Sequence, residues 1–518
     1  MPKQGIYKET AFRKLKAGGD KLAAAVVSTL GPRGKNVIVE TGALPIVTKD
    51  GVSVAKYFDL EDPVERMGVQ LVRQAALRTN EQVGDGTSTS ILLTREIMDA
   101  CERELEAHPE KNVFELAKEM REYGEVICRD LDEQVVKIES LDELVNVATI
   151  SANNDLETGR LVAELVYKVG KDGVITVEES SKATTETEHV EGTQVSSGYA
   201  SPYMATNERG ECVLNDVPVL ITDRRISSTA DILPILKQLK ESGKNNVVIV
   251  ADDVEGDALN MLVVNKLQGI FTALAVKANW HGTYRNESLK DLAATLGATF
   301  ISDETGRKLD SIKLADLGSV KKVIATKDKT TFIGGAARTE EVEARILELR
   351  EQIAVEDNDF DKEKKQERLA RLTSGVALIR VGGYTEVEMK EKKYLIEDAV
   401  CATRAALLHG VLPGGGTALV RAVVGRNQTH FLDTCLMEPL RLIAGSKKKA
   451  GEVFDALVSG GSKRPGYDAK KEVHVEDMVA AGVVDPLSVV KNSLMNAISA
   501  ATTFLTTDAV LFDKPVKK

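Results

Sequence analysis

Val83-Gly84-Asp85-Gly86-Thr87-Ser88-Thr89-Ser90 is the stretch of this chain whose residue types and spacing speak most directly of chemistry. Its glycines let the backbone approach a ligand closely. It also opens a helical stretch, Ile91–Leu105, and the unpaired amides at a helix N-terminus favour a phosphate. Asp85 is at odds with a phosphate unless a cation lies between them, because a carboxylate that holds Mg²⁺ lets the metal bridge to the phosphate. The stretch has no Walker lysine, and a plain N-cap turn, which Asp and Thr favour, accounts for the same residues. Three further glycine turns lie beside apolar segments: Thr29-Leu30-Gly31-Pro32-Arg33-Gly34, Thr48-Lys49-Asp50-Gly51-Val52-Ser53 and Leu412-Pro413-Gly414-Gly415-Gly416-Thr417. Brought together, they would surround one polar ligand.

The elements that must position these turns are helical at both ends of the chain. Glu65–Asn80 places Val69, Leu71, Val72 and Ala76 on one side, and Leu487–Thr503 is rich in Ala and β-branched residues, as tightly packed helices are. A short extended stretch, Asn36–Glu40, interrupts the first helical section. The middle has another rhythm: a short apolar strand at Asn246–Ala251, a helix at Gly256–Gln268, a strand at Ile270–Lys277, then a helix at Ser288–Leu296 and a strand at Ala298–Ser302. Alternation over connections this short predicts a parallel sheet with helical crossovers, an α/β domain inserted into a helical one. Val342, Ile346, Leu349 and Ile353 recur at helical spacing, and Lys362–Leu372 repeats the habit after a polar break, which predicts a helical hairpin with a solvated outer face. Gly192 and Gly375 bracket the insert; as hinges they would absorb φ/ψ changes, and as ordinary turn glycines they would not.

Bulk properties bound the function. A chain of 518 residues exceeds one hydrophobic core, so two to four domains are expected. A net charge of −11 opposes general affinity for nucleic acid or anionic lipid. No apolar run approaches the ~20 residues of a membrane span, and Met1–Thr10 carries Lys3, Lys8 and Glu9 where a secretory signal needs apolar residues, so a cytoplasmic location is expected. The odd, widely spaced set Cys101, Cys128, Cys212, Cys401 and Cys435 has no CxxC pair and reads as reduced core thiols.

In order along the chain, these turns and several other segments closely resemble the group I chaperonins, the GroEL-type family. The likeness includes Thr149-Ile150-Ser151-Ala152-Asn153, Gly173–Glu178, Asp253-Val254-Glu255-Gly256, Thr385–Lys393 and Glu397-Asp398-Ala399, and it runs along nearly the whole chain. It implies a multi-domain α/β fold: a mainly helical equatorial ATPase domain (1–133 and 407–518), a small intermediate domain (134–188 and 375–406) and an α/β apical domain (189–374). It implies an ATP-dependent chaperone with ATP, Mg²⁺ and K⁺ as cofactors. Thr29, Leu30, Gly31, Pro32, Lys49, Asp50 and Gly51 would line the phosphates, and Thr29 and Lys49 would give backbone oxygens to K⁺. Asp85 would hold Mg²⁺, with Gly86, Thr87, Ser88 and Thr89 cradling the phosphates. Ile150, Ser151, Gly414, Gly415, Asp468, Ala469 and Asp485 complete the nucleotide site. Asp398 would orient or deprotonate the attacking water once the intermediate domain swings down, with Asp50 as a second partner; standing alone, Glu397-Asp398 would read as an exposed helix-surface acid. Gly192, Gly375 and Gly410 would be hinges.

For capture of unfolded or partly folded polypeptides the resemblance points to Tyr199, Tyr203, Met204, Leu233, Leu236, Leu259, Val263 and Val264, although helical spacing alone assigns most of that stripe to a core. The implied partners are further copies in a seven-membered ring, single or double, and a lid co-chaperonin that would reuse the apical groove. Several positions depart from the family. Gly466-Tyr467-Asp468-Ala469-Lys470 has an acid where an amide is expected, and Ser88 replaces a threonine. Val423–Phe431 is shorter than usual, and Ser446-Lys447-Lys448-Lys449 stands where an acidic pair helps rings meet, so a single ring or a differently docked double ring is expected. The end, Pro515-Val516-Lys517-Lys518, lacks a Gly-Gly-Met tail. A ring-forming polypeptide-binding scaffold with little productive hydrolysis is the alternative; Asp50, Asp85 and Asp398 all being present favours the enzyme.

Overall fold

The computed structural model describes residues 3–40, 45–170, 173–180, 182–190, 192–207, 209–280, 282–302, 306–337, 339–356, 358–373, 376–424, 426, 429–459 and 464–513. Gly375 and the Pro515–Lys518 terminus lie outside them. The chain divides into two compact units, one comprising Met1–Lys171, Glu179–Thr185 and Val381–Lys518, the other Asp172–Glu178 and Glu186–Arg380.

The first unit is helical, and both chain ends share its core. Leu15, Leu22 and Val72 from the first hundred residues join Leu494, Ile498 and Phe504 from the last thirty in one continuous apolar cluster. The helices Lys8–Val27 and Pro63–Val83 pack with their backbones nearly touching, because a side chain at Gly18 would run into the Glu65 carbonyl and one at Gly68 into that of Leu15. Helix Pro63–Val83 starts where its sequence says it should. Pro63 needs no amide partner at the first position, and the Asp62 carboxylate accepts from Val64 N at 2.8 Å and Glu65 N at 3.1 Å. The termini meet as an antiparallel strand pair, Lys3–Tyr7 with Ala509–Asp513.

The second unit is built on a sheet with helices on both faces. Strands Thr272–Lys277, Asn246–Ala251 and Cys212–Thr222 are parallel neighbours, and Phe300–Ile301 also pairs in parallel with Cys212–Thr222. The sheet is nevertheless mixed, which corrects the expectation of a parallel one: Gly318–Ala325, Thr330–Gly335 and Gly192–Val195 continue it antiparallel. The cause is local, since Gly318–Ala325 and Thr330–Gly335 are joined by a tight turn that leaves no room for a crossover helix. Along Asn246–Ala251, Val248 and Val250 enter one core while Val247, Ile249 and Ala251 enter the other, so both faces of this strand are buried.

The hairpin of helices Thr339–Ala354 and Asp359–Thr373 packs against helix Gly282–Leu296. Buried charges line that contact: Asp291 takes Arg345 Nε at 2.5 Å and Arg368 Nε at 2.7 Å, and Glu287 takes Arg368 Nη2 at 3.2 Å. Gly192 begins strand Gly192–Val195 and is not in the left-handed region. Its missing side chain gives room to the Phe332 carbonyl and the Val376 side chain, a packing reason for glycine at this position. Gly410, at φ 80°, ends helix Glu386–His409. Four cysteines are buried as expected, but Cys401 is exposed, because it falls outside the buried face of that helix formed by Ala399, Ala402 and Ala406. Among the described residues no helix is long and apolar enough to cross a membrane.

Candidate functional site

A cavity of about 530 Å³ opens in the first unit, and the four glycine turns contribute to its wall. Helix Thr87–Ala107 begins there. Its N-cap is Gly86, at φ 88°, with no side-chain cap, so the first-turn amides lack both intrahelical acceptors and a capping oxygen. The chain therefore does not adopt a plain N-cap turn at Asp85: this carboxylate accepts from Gly86 N at 2.6 Å and from Ser151 Oγ at 3.3 Å. Thr29 Oγ1 lies 3.4 Å from Ser88 Oγ, and a side chain at Gly51 would collide with that same hydroxyl, so three turns far apart in sequence touch at Ser88. Two wall atoms, Thr87 Oγ1 and Asn80 Oδ1, are buried and have no hydrogen-bond partner.

Carboxylates converge on this wall. Asp50 caps helix Gly51–Tyr57, accepting from Val52 N at 2.9 Å and Ser53 N at 2.8 Å. Asp398 projects from helix Glu386–His409, so it is a pocket residue and not an outward-facing helix acid. Burial, and then the charges of Asp50, Asp85 and Glu397, hold its carboxyl well above the usual range. Asp85 is raised for the same reasons, burial first and Asp50 last. Asp485 is pushed up to about 7 by burial and by Asp85, against the lowering effect of amide hydrogen bonds from Gly415 and Gly416. Acids that oppose one another's ionisation beside unpaired amides form a site for a cation and an anion together. Among the described residues no group of three or more His, Cys, Asp or Glu could hold a metal by itself. The Asp85 carboxylate beside the open amides fits a Mg²⁺ ion, which is commonly held by one or two carboxylates with ligand phosphates completing its shell.

Of the residues singled out from sequence, Thr29–Pro32, Lys49–Gly51, Asp85–Thr89, Ile150, Ser151, Asp398, Gly415, Asp468, Ala469 and Asp485 line the cavity. Gly414 stands behind the wall, its N–H donating to the Val483 carbonyl at 2.9 Å. Asp468 is turned into its own loop, accepting from the amides of Lys470 and Lys471 at 3.0 Å each. Burial lowers the Lys49 pKa, and its Nζ donates to Asn153 Oδ1 at 2.6 Å. Sequence reasoning named Asn153 only as part of a family-like segment and missed Asn154; their left-handed φ values of 53° and 64° turn the chain at the cavity wall. Two adjacent asparagines, residues that tolerate this conformation, were the available signal.

In the second unit, helices Thr229–Glu241 and Gly256–Leu267 pack side by side over one core. Leu236, Leu259 and Val263 are half-buried between core and solvent, as is Tyr199. Outside them Leu233 is 36% exposed, Val264 48%, Leu267 68% and Tyr203 67%. Met204 does not belong to this surface. It is fully buried, because the short turn Pro202–Met204 drops it onto the sheet, where Sδ accepts from Ala275 N at 3.3 Å. Leu267, which was not singled out from sequence, takes its place.

Known proteins share both the sequence pattern and the fold. The profile of the TCP-1/cpn60 chaperonin family matches residues 22–425. The fold is similar to that of the chaperonin gp146 from the bacteriophage EL 2 (Pseudomonas aeruginosa), crystallised in the presence of ATP-BeFx. Crystal form II gives a TM-score of 0.71 at 21% identity over 99% of both chains. Form I gives 0.65 at the same identity and coverage. The chain therefore belongs to the TCP-1/cpn60 chaperonin family and is a divergent GroEL-type member of it.

Proposed function

We propose that this chain is the subunit of a ring chaperonin that binds and hydrolyses ATP and uses the cycle to capture and enclose non-native polypeptides. The observation that carries the reading is the cavity, where turns from both chain ends set an uncapped helix N-terminus against a group of acids. Crystallisation of a similar chaperonin with an ATP analogue supports it. The proposed organisation has three domains: equatorial (1–133 and 407–518), intermediate (134–188 and 375–406) and apical (189–374).

In this reading the Gly86–Thr89 amides and the Thr29–Pro32 turn receive the phosphates. Thr87 Oγ1, which lacks a partner in the protein, is free to join them. Asp85 would hold Mg²⁺, and backbone oxygens of Thr29 and Lys49 would hold K⁺. The metal supplies charge neutralisation on the phosphate oxygens. Asp398 orients a water and accepts its proton as the water oxygen bonds to the γ-phosphorus and the bond to the β–γ bridging oxygen breaks. Positioned base assistance of this kind is worth roughly 10²–10⁴ in rate. Tyr199, Tyr203, Leu233, Leu236, Leu259, Val263, Val264 and Leu267 form the capture surface, repeated around a seven-membered ring in the cytoplasm.

The experiment is Mg²⁺- and K⁺-dependent phosphate release by wild type and Asp398→Ala, with nucleotide affinity measured on both. Release that is lost in the variant while binding persists is expected. Wild-type protein that binds nucleotide without turnover would identify a scaffold instead. Native mass with and without ATP tests the assembly, and a mass of one subunit in every state overturns it. In the lysine run, Lys449 Nζ is engaged by the Tyr467 hydroxyl at 2.6 Å, while Lys447 and Lys448 remain exposed. Like charges of that kind disfavour docking through this segment, which favours a single ring or a double ring docked differently; a double-ring mass in every nucleotide state refutes the single ring.

A further inference from the structure

Asp398 and Asp85 face one cavity from two separate pieces of chain, and a contact one residue from the second and one helical turn from the first holds those pieces together. Gly84 ends helix Pro63–Val83 at φ 70° and is buried. A β-carbon built on it would overlap the Cβ of Cys401 and lie 2.6 Å from its Sγ, closer than such atoms come in folded proteins. Cys401 and Asp398 are three residues apart on helix Glu386–His409, and so on one face of it. Thus the face that carries Asp398 rests on the one residue before Asp85 whose side chain is a hydrogen.

We propose that Gly84 is a notch that receives the Cys401 side chain, and that this contact sets how closely the Asp398 helix approaches the Asp85 loop. Gly84 and Cys401 are then positioning residues for hydrolysis and touch neither nucleotide nor water. The inference rests on the cavity being an ATPase site. Two properties of Gly84 are separable. Its left-handed backbone disfavours any side chain, and its empty volume is required only while Cys401 keeps its own.

The central test is a rescue. Gly84→Ala is expected to lower kcat by roughly 10–100-fold, the scale of a displacement near 1 Å, with KM for ATP within about threefold. Gly84→Ala combined with Cys401→Gly restores the volume while keeping the backbone strain at position 84, and it is expected to recover most of kcat. A double variant as slow as Gly84→Ala, with equal helix content and ring mass, overturns the notch. So does a Gly84→Ala variant with unchanged kcat.

The wild-type protein provides a second readout. Cys401 is the exposed thiol, whereas Cys101 and Cys435 are buried and pushed up to about 12, and Cys128 and Cys212 to about 11. Iodoacetamide should therefore modify Cys401 first and slow turnover at saturating ATP, with nucleotide affinity retained. Full turnover after complete Cys401 alkylation counts against the proposal. If wild type does not hydrolyse ATP at all, the reading of the cavity fails, and the contact is judged by alkylation rate alone. Gly84→Ala, by pushing the helix away, is expected to raise the rate of Cys401 modification several-fold, and an unchanged rate overturns it.

Discussion

Protonation couples the acids of the cavity to stability in a direction that can be measured. The Asp485 carboxyl is raised from an ordinary 3.8 to about 7. Between those values the folded chain binds a proton that the unfolded chain releases, so this group's contribution is present below about 4 and is lost as pH rises through 7. Asp398 and Asp85 are shifted the same way. His430, lowered mainly by burial, works in the opposite direction, and stability from it rises with pH. The clean measurement is therefore a difference. The nucleotide-free wild type is expected to lose more thermal stability between pH 5.5 and 8 than Asp485→Asn does, and Mg²⁺-ATP is expected to shrink that gap. Parallel melting-temperature profiles for the two proteins would contradict the assignment. At this scale the sequence was informative about which residues meet, and silent about what each then does. Asp50 is legible as a pocket residue, yet its engagement as a helix cap depends on where helix Gly51–Tyr57 begins. The family resemblance alone put Met204 on the capture surface, and nothing in Pro202–Met204 reveals that the turn points inward.

Helix starts decide the chemistry one level up. Helix Pro63–Val83 satisfies its first amides with Asp62, and helix Thr87–Ala107 leaves its own open behind Gly86. That contrast between two consecutive helices sets a capped structural end against the open one proposed to bind phosphate. Loss of the Asp62 cap by Asp62→Ala is expected to cost about 1 kcal/mol in denaturant unfolding, with ATP affinity unchanged. The hairpin of the second unit is held differently, by Arg368 and Arg345 on Asp291 and Glu287. Arg368→Met leaves Asp291 with Arg345 alone, and the cost should fall near the lower end of the roughly 3–5 kcal/mol seen when a buried pair is broken. Hydrogen exchange should then rise in Thr339–Ala354 and Asp359–Thr373 before it rises in the sheet; uniform protection in that variant would mean that apolar packing holds the hairpin. Periodicity located both hairpin helices, whose outer faces are solvated. It could not reveal the ion network, because the Arg and Asp partners are more than fifty residues apart in sequence.

Across the whole molecule, two-ended helical composition foretells one core shared by both termini, and the apolar cluster that joins Leu15 to Phe504 is that core. The mixed sheet was less legible. Alternating strands and helices identify its parallel half, while Gly318–Ala325 and Thr330–Gly335 are joined too tightly for such a signal. A chain with charge −11 that still exposes Leu233, Val264, Leu267 and Tyr203 on neighbouring elements of one unit presents apolar surface where a solvated face would be cheaper. Each such side chain is worth about 1.5–3 kcal/mol when fully covered, and those already half-buried offer a fraction of that. One copy would bind an unfolded chain weakly, whereas several copies in a ring bind it by multivalency. Leu233→Ser with Val264→Ser is therefore expected to weaken capture of a denatured test protein far more in the assembled ring than in isolated subunits, with ATP turnover unaffected. Binding should persist at high salt, since the contact is apolar, and show a negative heat-capacity change. Capture that disappears at high salt, or that survives both substitutions in the intact ring, would place the client surface elsewhere on the chain.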